Sequence, residues 1–334
     1  MTLYRAGSTF TGELFNRNQD IFYHFEPLTL FGYDWHGKMN KTIEEKRFQL
    51  LDNIFLDCKL PVFSDWKEYA ENSTTVKNVC ATENSCFWFN SRRFCAPPFC
   101  RKTYDDHLCR RACNPGPARK AELAQSVCKK DTKATAAKII RILEVQKLID
   151  FFDSHENEID AKIVILVRDP RAMLESRKKL TWPDTYWKGH SEEFFNQLEV
   201  ECAKFAENKK EQRWKDRIKI IRYEDIAMDP ISVSEETYNF LEMDISLDVH
   251  EYLISATEKD DSTKYSEEMS FLKAYSTKRN SKENLQKWRK DASWDRVQRV
   301  QSICKDYMIA FGYKNFNNLQ GGCGNKKLDY YRMS

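Results

Sequence analysis

The feature that most constrains the fold is an apolar run, Lys162 to Val167 (KIVILV), which ends in Arg168-Asp169-Pro170. Continuous apolar runs are typical of strands buried in a parallel sheet, and α/β proteins place functional residues in the loops that follow such strands. A second run, Arg217 to Arg222 (RIKIIR), repeats the pattern. We therefore predict an α/β layered sandwich with a central parallel sheet flanked by helices.

The rest of the chain alternates between strand-like and helical patterns. A short strand precedes a turn at residues 7–9, followed by a predicted helix from about Thr11 to Asn18 and an extended segment from Ile21 to Leu30. Residues 134–141 predict a strand and 142–152 a helix, because their apolar residues change spacing. Further helices are predicted at residues 191–214, 233–243, 247–257 and 294–311. Residues 31–130 are predicted to be loop-rich, so we expect one domain over 1–316, with a Cys-rich insertion at about 58–128 and a tail at 317–334.

Composition excludes several classes of protein. The 54 basic and 51 acidic residues give a net charge of +3, which argues against a dedicated nucleic-acid-binding protein. No apolar run reaches the roughly 18 residues that a membrane span needs, and the first residues lack a basic-then-apolar signal segment. The chain as given is therefore expected neither to span a membrane nor to direct its own secretion.

Cysteines indicate the compartment. Of the 11 cysteines, eight lie within 71 residues, and the pairs Cys95/Cys100 and Cys109/Cys113 have spacings that zinc ligands use. Disulfides fit better, because the eight are irregularly spaced and only His107 lies among them. Two glycosylation sequons, at Asn40 and Asn72, agree with a lumenal address. The eight are Cys58, Cys80, Cys86, Cys95, Cys100, Cys109, Cys113 and Cys128.

The first candidate binding element is the loop from Arg5 to Phe10 (RAGSTF), between the first strand and the first helix. Small residues let backbone N–H groups surround an anion at a helix N-terminus. The spacing of Gly7 and Gly12 begins like a Walker A loop, but Glu13 and Leu14 stand where that motif requires Lys and Ser or Thr. An ordinary strand-to-helix turn remains an alternative.

The second candidate element begins at Arg168. If a helix starts near Pro170, Ser176 lies on a turn whose face can be shared with the Arg168 side chain, and an arginine with a hydroxyl forms a phosphate clamp. The alternative is a loop in which the arginine pairs with Asp169.

Seven segments in collinear order resemble the Golgi carbohydrate 6-O-sulfotransferases of the galactose, N-acetylglucosamine and N-acetylgalactosamine group, enzymes of the superfamily that uses 3′-phosphoadenosine 5′-phosphosulfate (PAPS). They span almost the whole chain and are RAGSTFTGELFN (5–16), FYHFEPL (22–28), RFCAPPFC (93–100), ILVRDPRAMLESR (165–177), IRYEDIAMDP (221–230), YSTKRNS (275–281) and the stretch 288–314.

The resemblance implies a P-loop-like fold with PAPS as the donor and no metal. It implies that Arg5, Gly7, Ser8 and Thr9, in one loop with Ala6 and Phe10, hold the 5′-phosphosulfate. Arg168 and Ser176 would hold the 3′-phosphate, with Lys278 and Arg279 as auxiliary contacts or, alternatively, a solvated basic loop. The segment 222–225 is family-like, but we expect a structural role for it.

Sulfuryl transfer to a hydroxyl needs a base for the hydroxyl proton and cations for the leaving phosphate. Glu26 is our candidate base, since its aromatic neighbours are expected to raise its carboxyl pKa, and Arg5 is the candidate cation. A salt-bridged Glu26 is the competing interpretation, and His24 and His36 are lower-ranked bases.

Lys138 and Arg141 are expected to hold an acidic glycan or the donor sulfate. They close a stretch, residues 92–141, with 13 basic and four acidic residues, a charge of +9 that would attract a sulfated or carboxylated polysaccharide unless it is only a solvated face.

The chain departs from the family in beginning four residues before Arg5 and in carrying Ala6 where a hydroxyl residue is common. We therefore expect an N-terminally incomplete chain of a type II membrane protein of the Golgi lumen, whose anchor is absent here.

The predicted function is transfer of sulfate from PAPS to a sugar hydroxyl, the 6-OH, of a glycan or glycosaminoglycan. A P-loop kinase-type phosphotransferase and an inactive lumenal glycan-binding protein are the alternatives.

Overall fold

The computed structural model describes residues 1–31, 39–59, 91–100, 117–178, 192–257 and 281–317. The strands within them are β1 (Ile21–His24), β2 (Ala134–Ala137), β3 (Ile163–Val167) and β4 (Ile218–Arg222). The α-helices are α1 (Ser8–Asn16), α2 (Lys41–Phe55), α3 (Pro117–Asp131), α4 (Val145–Asp153), α5 (Pro170–Lys178), α6 (Glu192–Asn208), α7 (Tyr223–Met228), α8 (Pro230–Leu241), α9 (Leu247–Thr257), α10 (Ser281–Asp291), α11 (Trp294–Ile303) and α12 (Lys305–Ala310). Short 3₁₀ helices cover Pro27–Phe31, Arg92–Cys95 and Lys215–Arg217.

The chain divides into two compact units, and the first contains residues 1–11, 143–147 and 162–334. In it β3 pairs in parallel with β4, from Ile163 opposite Ile218 to Val167 opposite Arg222. Residue Thr2 also bridges to Leu166 in parallel. Because the two strands end at the same level, the residues that follow them, Arg168 and Tyr223, lie at one edge of the sheet.

Helix α5 follows β3 after a two-residue loop. Its first residue is Pro170, which suits the first position of a helix because that position needs no backbone N–H donor. Ala172 of this helix packs in one buried cluster with Trp288 and Val297, from α10 and α11. This packing holds α5, which carries Ser176, against α10 and α11.

The second unit contains residues 12–142 and 148–161. Its strands β1 and β2 pair in parallel, from Ile21 opposite Ala134 to His24 opposite Ala137. A buried cluster that includes Phe22, Phe94 and Val127 surrounds the Cys58–Cys128 disulfide.

The predicted α/β class with parallel strands is confirmed. The predicted helix over 247–257 has the bounds of α9, whereas the one predicted at 294–311 is divided at Cys304 into α11 and α12. The predictions of a loop-rich stretch at 31–130 and of a first helix starting at Thr11 were wrong: α2 and most of α3 lie in that stretch, and α1 starts at Ser8. The single domain over residues 1–316 stays a prediction.

Disulfides bear out the cysteine prediction where the structure describes it. Cys58 pairs with Cys128, and outside the stretch 58–128 Cys202 on α6 pairs with Cys304. Cys95 and Cys100 are disulfide-bonded as well. The remaining cysteines, Cys80, Cys86, Cys109, Cys113 and Cys323, lie outside the described residues. None of the described helices is both long and apolar enough to cross a membrane.

Candidate active site

The loop that leads into α1 has a backbone which only a few residue types adopt. Arg5 has φ of 65° and Gly7 has φ of 94°, both in the left-handed region. A Cβ on Gly7 would lie 2.2 Å from Cδ2 of Tyr223, so the loop also lies directly against that ring. Glycine at position 7 is therefore required twice, by conformation and by space.

The loop ends in a helix N-terminus. Helix α1 starts at Ser8, and its first closed turn is the bond from Thr11 N to Gly7 O, at 3.1 Å. Backbone N–H groups in the first turn of a helix point out of it and favour anions. The side chains of Ala6 and Phe10, by contrast, are buried, and Phe10 packs on Tyr223 and Tyr252. These two residues therefore have only backbone to offer a ligand.

Three predicted site residues, Arg5, Arg168 and Ser176, come together in the first unit, and we call them the arginine clamp. Arg5 Nε donates to Ser176 Oγ at 3.0 Å, and Arg168 Nη1 donates to the carbonyl oxygen of Arg5 at 3.0 Å. The alternative in which Arg168 pairs with Asp169 does not hold, since the Asp169 carboxylate receives two bonds from the side chain of Arg171, at 2.9 and 2.8 Å. The two elements predicted separately thus form one cationic cluster.

Tyr223 belongs to the same site, although sequence reasoning assigned it a structural role. The guanidinium of Arg168 lies over its ring, 4.4 Å from the centroid, in the geometry of a cation–π contact. The signal that predicts this position is strand order: Tyr223 directly follows β4, as Arg168 directly follows β3. Strand order would have predicted a site role for Tyr223 if β3 and β4 had been taken as neighbours in the sheet.

A second cluster of predicted site residues lies in the other unit, and we call Glu26, Lys138 and Arg141 the Glu26 triad. Lys138 Nζ is 2.8 Å from Glu26 Oε1, and Arg141 Nη1 is 3.2 Å from Glu26 Oε2. The paired strands β1 and β2 end at His24 and Ala137, so their register brings the segments after them together. Lys138 also lies over the ring of Phe25, at 4.1 Å, and Glu26 has φ of 48°.

The pKa of Glu26 is low, and the prediction that it would be raised was wrong. Burial alone would raise the pKa, but the charges of Lys138 and Arg141 and the hydrogen bonds from them outweigh burial and lower the pKa to about 2. The competing interpretation, a salt-bridged glutamate, is what the structure contains. Lys138 and Arg141 are correspondingly paired with a carboxylate of the chain itself.

The other predicted residues divide into two groups. His24 is buried against Phe22, and burial lowers its pKa to about 3, so the imidazole is neutral at physiological pH. His36, Lys278 and Arg279 lie outside the described residues.

Within the residues that the structure describes, no group of three or more His, Cys, Asp or Glu side chains is arranged to hold a metal ion.

Known proteins are similar to this chain over nearly its whole length. The family described as "Sulfotransferase domain" matches residues 1–312. Carbohydrate sulfotransferase 1 of Mus musculus is 30% identical over 94% of this chain and 78% of its own length, and carbohydrate sulfotransferase 3 of Homo sapiens is 28% identical over 94% of this chain and 66% of its own. Among solved structures, the sulfotransferase domain from the Synechococcus PCC 7002 olefin synthase is 17% identical, with a TM-score of 0.46, over 94% of this chain and 93% of that one. The chain belongs to the sulfotransferase domain family.

Proposed function

We propose that the protein transfers the sulfuryl group of PAPS to the 6-hydroxyl of a sugar in a glycan or glycosaminoglycan. The observation that carries the proposal is the arginine clamp, in which two arginines and a serine converge beside the N-terminus of α1. This arrangement suits an anionic nucleotide that is bound without the lysine and the metal-binding hydroxyl of a Walker A loop.

The donor has two anionic ends, and the clamp offers a group to each. Arg5, with the backbone of Gly7 and the backbone and hydroxyls of Ser8 and Thr9, would hold the 5′-phosphosulfate. Arg168 and Ser176 would hold the 3′-phosphate. Arg5 bonds to Ser176, and its carbonyl oxygen accepts from Arg168, so the two parts of the site support each other. Ala6 and Phe10 would take part through the backbone alone, because their side chains are buried.

In the proposed reaction the bond between sulfur and the donor phosphate oxygen breaks, and a bond between sulfur and the sugar oxygen forms. The hydroxyl proton passes to a carboxylate oxygen of Glu26. Arg5 stabilises the negative charge that develops on the leaving phosphate. Glu26 is ionised at neutral pH because of its low pKa, so it is able to accept the proton, although a carboxylate with a pKa of about 2 is a weak base.

The Glu26 triad suggests how this base is activated. A sulfate or carboxylate on the acceptor would compete with Glu26 for Lys138 and Arg141, the residues proposed to bind an acidic glycan. Loss of either ion pair would raise the pKa of Glu26 toward its usual value, 4.5, since burial alone raises it. We therefore propose that binding of an acidic acceptor by Lys138 and Arg141 also makes Glu26 a stronger base.

We propose the Golgi lumen as the location. Two supports come from the described residues: disulfides, which persist in oxidising compartments, and the exposed sequon residue Asn40. Asn40 caps α2 by accepting a bond from Thr42 N, at 2.8 Å, so the sequon lies at a helix start on the surface.

The test has two parts. Adenosine 3′,5′-bisphosphate, the desulfated product, is expected to raise the melting temperature without Mg²⁺, and radiolabelled sulfate is expected to pass from PAPS to members of a panel of desulfated glycans. An effect of Mg-ATP alone would favour the kinase-type alternative. Glycan binding without any nucleotide effect would favour the inactive glycan-binding alternative.

A further inference from the structure

The backbone of Arg168 lies just beyond the end of the sheet ladder. The pairing of β3 with β4 ends at Val167 and Arg222, one residue earlier. A single hydroxyl, that of Tyr307, bonds to both backbone groups of Arg168: it accepts from Arg168 N at 3.1 Å and donates to Arg168 O at 2.9 Å. A tyrosine hydroxyl is able to do both, since it carries one donor hydrogen and acceptor lone pairs.

Tyr307 is held firmly in its own position. Tyr307 lies on α12, and its side chain is fully buried. The centroid of its ring lies 4.7 Å from that of Phe311. The ring also stacks on Tyr313, with ring planes 2° apart and centroids 6.1 Å apart. Burial raises the pKa of Tyr307 well above its usual value, so the hydroxyl keeps its proton at any physiological pH. It is a permanent donor and acceptor for Arg168.

The residue after Arg168 is anchored from the same part of the chain. The backbone N–H of Asp169 donates to Glu224 Oε1 at 3.0 Å, and Glu224 Oε2 accepts from the hydroxyl of Tyr313 at 2.8 Å. Arg171, which pairs with the Asp169 carboxylate, donates to Gln301 Oε1 at 2.7 Å. Within residues 301–313, Tyr307 thus holds the loop at 168–169 directly. Tyr313 and Gln301 hold it indirectly, through Glu224 and Arg171.

We propose that Tyr307 is a positioning residue of the donor site: by bonding both backbone groups of Arg168, its hydroxyl aims the guanidinium at the 3′-phosphate of the donor. The inference rests on the proposed function, which assigns Arg168 to that phosphate. Without the hydroxyl, the N–H and the carbonyl of Arg168 lose this partner, and the loop turns to find others. The side chain then leaves the carbonyl of Arg5 and the ring of Tyr223, which now orient it.

The test measures the affinities of wild type and of the variant Tyr307→Phe, which keeps the buried ring, for two nucleotides. Affinity for adenosine 3′,5′-bisphosphate is expected to fall by about 5- to 30-fold, as for the loss of one or two hydrogen bonds. Affinity for adenosine 5′-phosphate, which lacks the 3′-phosphate, is expected to stay within about twofold. A purely structural role would instead lower the melting temperature and change the two affinities alike.

Two further variants complete the design. Thr237→Val is the matched control, because Thr237 is buried and its hydroxyl donates within α8, to Val233 O at 2.6 Å. This variant should lower stability and leave the ratio of the two affinities unchanged. In an Arg168→Ala background, Tyr307→Phe should have no further effect on binding of the bisphosphate.

The outcomes are distinct. Equal affinities of wild type and Tyr307→Phe for the bisphosphate would overturn this inference and leave the proposed function standing. A wild-type protein that binds neither nucleotide would overturn both. If Tyr307→Phe does not fold, Tyr313→Phe, which releases Glu224 from the C-terminal segment, is expected to show the same selective loss to a smaller extent, and an unchanged ratio there would equally overturn the inference.

Discussion

Two residues to which we assign chemistry, Arg5 and Glu26, have left-handed backbones, with φ of 65° and 48°. For a residue other than glycine such a conformation costs on the order of 1–3 kcal/mol, and it persists only where the surroundings impose it. The surroundings here are polar contacts: Arg5 bonds to Ser176 and accepts from Arg168, and Glu26 has two ion pairs. The strain therefore supports placing both residues in functional sites.

The arginine clamp gives the first prediction. Arg168→Ala should weaken binding of adenosine 3′,5′-bisphosphate by about 2–3 kcal/mol, because a charge-assisted contact is lost. Ser176→Ala should cost less, even though it also removes the partner of Arg5 Nε. Isothermal titration calorimetry on the three proteins measures both effects, and unchanged affinity in both variants would remove the 3′-phosphate site from the proposal.

The second prediction concerns turnover. Glu26→Gln keeps the size of the side chain but cannot take up a proton at neutral pH, so the rate per folded molecule should fall by roughly 10²- to 10⁴-fold. Donor affinity should hardly change. Stability should fall as well, because Lys138 and Arg141 lose their counter-charge, so the rate is referred to the folded fraction. Near-normal turnover would leave Glu26 a structural residue and make His24 the next candidate base.

The third prediction concerns stability against pH. Because the pKa of Glu26 is about 2 in the folded protein and 4.5 ordinarily, its ionisation stabilises the fold fully above about pH 4.5. This contribution is lost as the pH falls from about 4.5 toward 2. The difference in free energy of unfolding between wild type and Glu26→Gln should therefore shrink across this range in urea titrations.

Asp20→Asn is the control for that experiment. Asp20 pairs with Lys133 at 2.7 Å, but both side chains are exposed, and exposed pairs contribute little. A difference for Glu26→Gln that stayed constant from pH 5 to pH 2.5, or an equal change in the control, would contradict the assignment.

At the scale of elements, a continuous apolar run was sufficient to predict a strand. A helix whose buried face mixes apolar and charged residues was not predicted. The runs at 162–167 and 217–222 predict β3 and β4, because apolar residues dominate both; β3 is buried at four of its five residues, whereas β4 is buried only at Ile221. Helix α2 was missed because its buried stripe combines Leu50, Leu51 and Ile54 with the charged Arg47, whose Nη1 donates to Arg141 O. An apolar stripe interrupted by a buried arginine does not show the spacing on which the prediction depends.

The residues of the site also divide into those that the sequence predicts and those that it does not. Sequence placed Arg5, Arg168 and Ser176 in donor-binding elements, and the structure brings them together. Tertiary contacts that have no local signal were missed: the ring of Tyr223 against Gly7, and the two cations that hold Glu26 ionised. Burial of Glu26 was foreseen, but its net effect on the pKa depends on partners more than a hundred residues away in the chain.

The strand–turn–helix element at residues 5–9 gives the fourth prediction. Gly7→Ala places a Cβ 2.2 Å from a ring atom of Tyr223 and forces φ of 94° on a residue with a side chain. We expect donor binding to be lost and the free energy of unfolding to fall by at least about 1–3 kcal/mol.

Gly12→Ala is the comparison, because the atoms nearest to a Cβ there belong to the outer end of the Tyr23 side chain, with the hydroxyl at 2.3 Å and Cζ at 3.3 Å, and Gly12 lies within α1. Tyr23→Phe should restore the stability that Gly12→Ala loses, whereas trimming Tyr223 should leave Gly7→Ala defective, since the backbone conformation remains strained. Calorimetry of the four variants decides this, and a donor-competent Gly7→Ala would refute the role given to the turn.

At the scale of the whole molecule, each compact unit contains a disulfide of its own. Cys202–Cys304 lies in the unit that holds the arginine clamp, and Cys58–Cys128 lies in the unit that holds the Glu26 triad. They close chain separations of 102 and 70 residues, so each constrains the unfolded chain strongly. A fold that depends on both bonds is suited to the oxidising compartment proposed for it.

The last prediction is that the two bonds act on stability separately and that neither is part of the donor site. Replacing Cys202 and Cys304 by serine should cost about 2–5 kcal/mol, as should replacing Cys58 and Cys128, since each change frees a long loop in the unfolded state. The Cys58/Cys128 variant should keep its affinity for adenosine 3′,5′-bisphosphate, because the arginine clamp lies in the other unit. Thiol titration of the wild type under denaturing, non-reducing conditions should find about one free thiol among the 11 cysteines, which we assign to Cys323. Eight or more free thiols, or stoichiometric zinc by metal analysis, would overturn both the disulfide pattern and the lumenal address, and lost nucleotide binding in the folded Cys58/Cys128 variant would show that the donor site depends on both units.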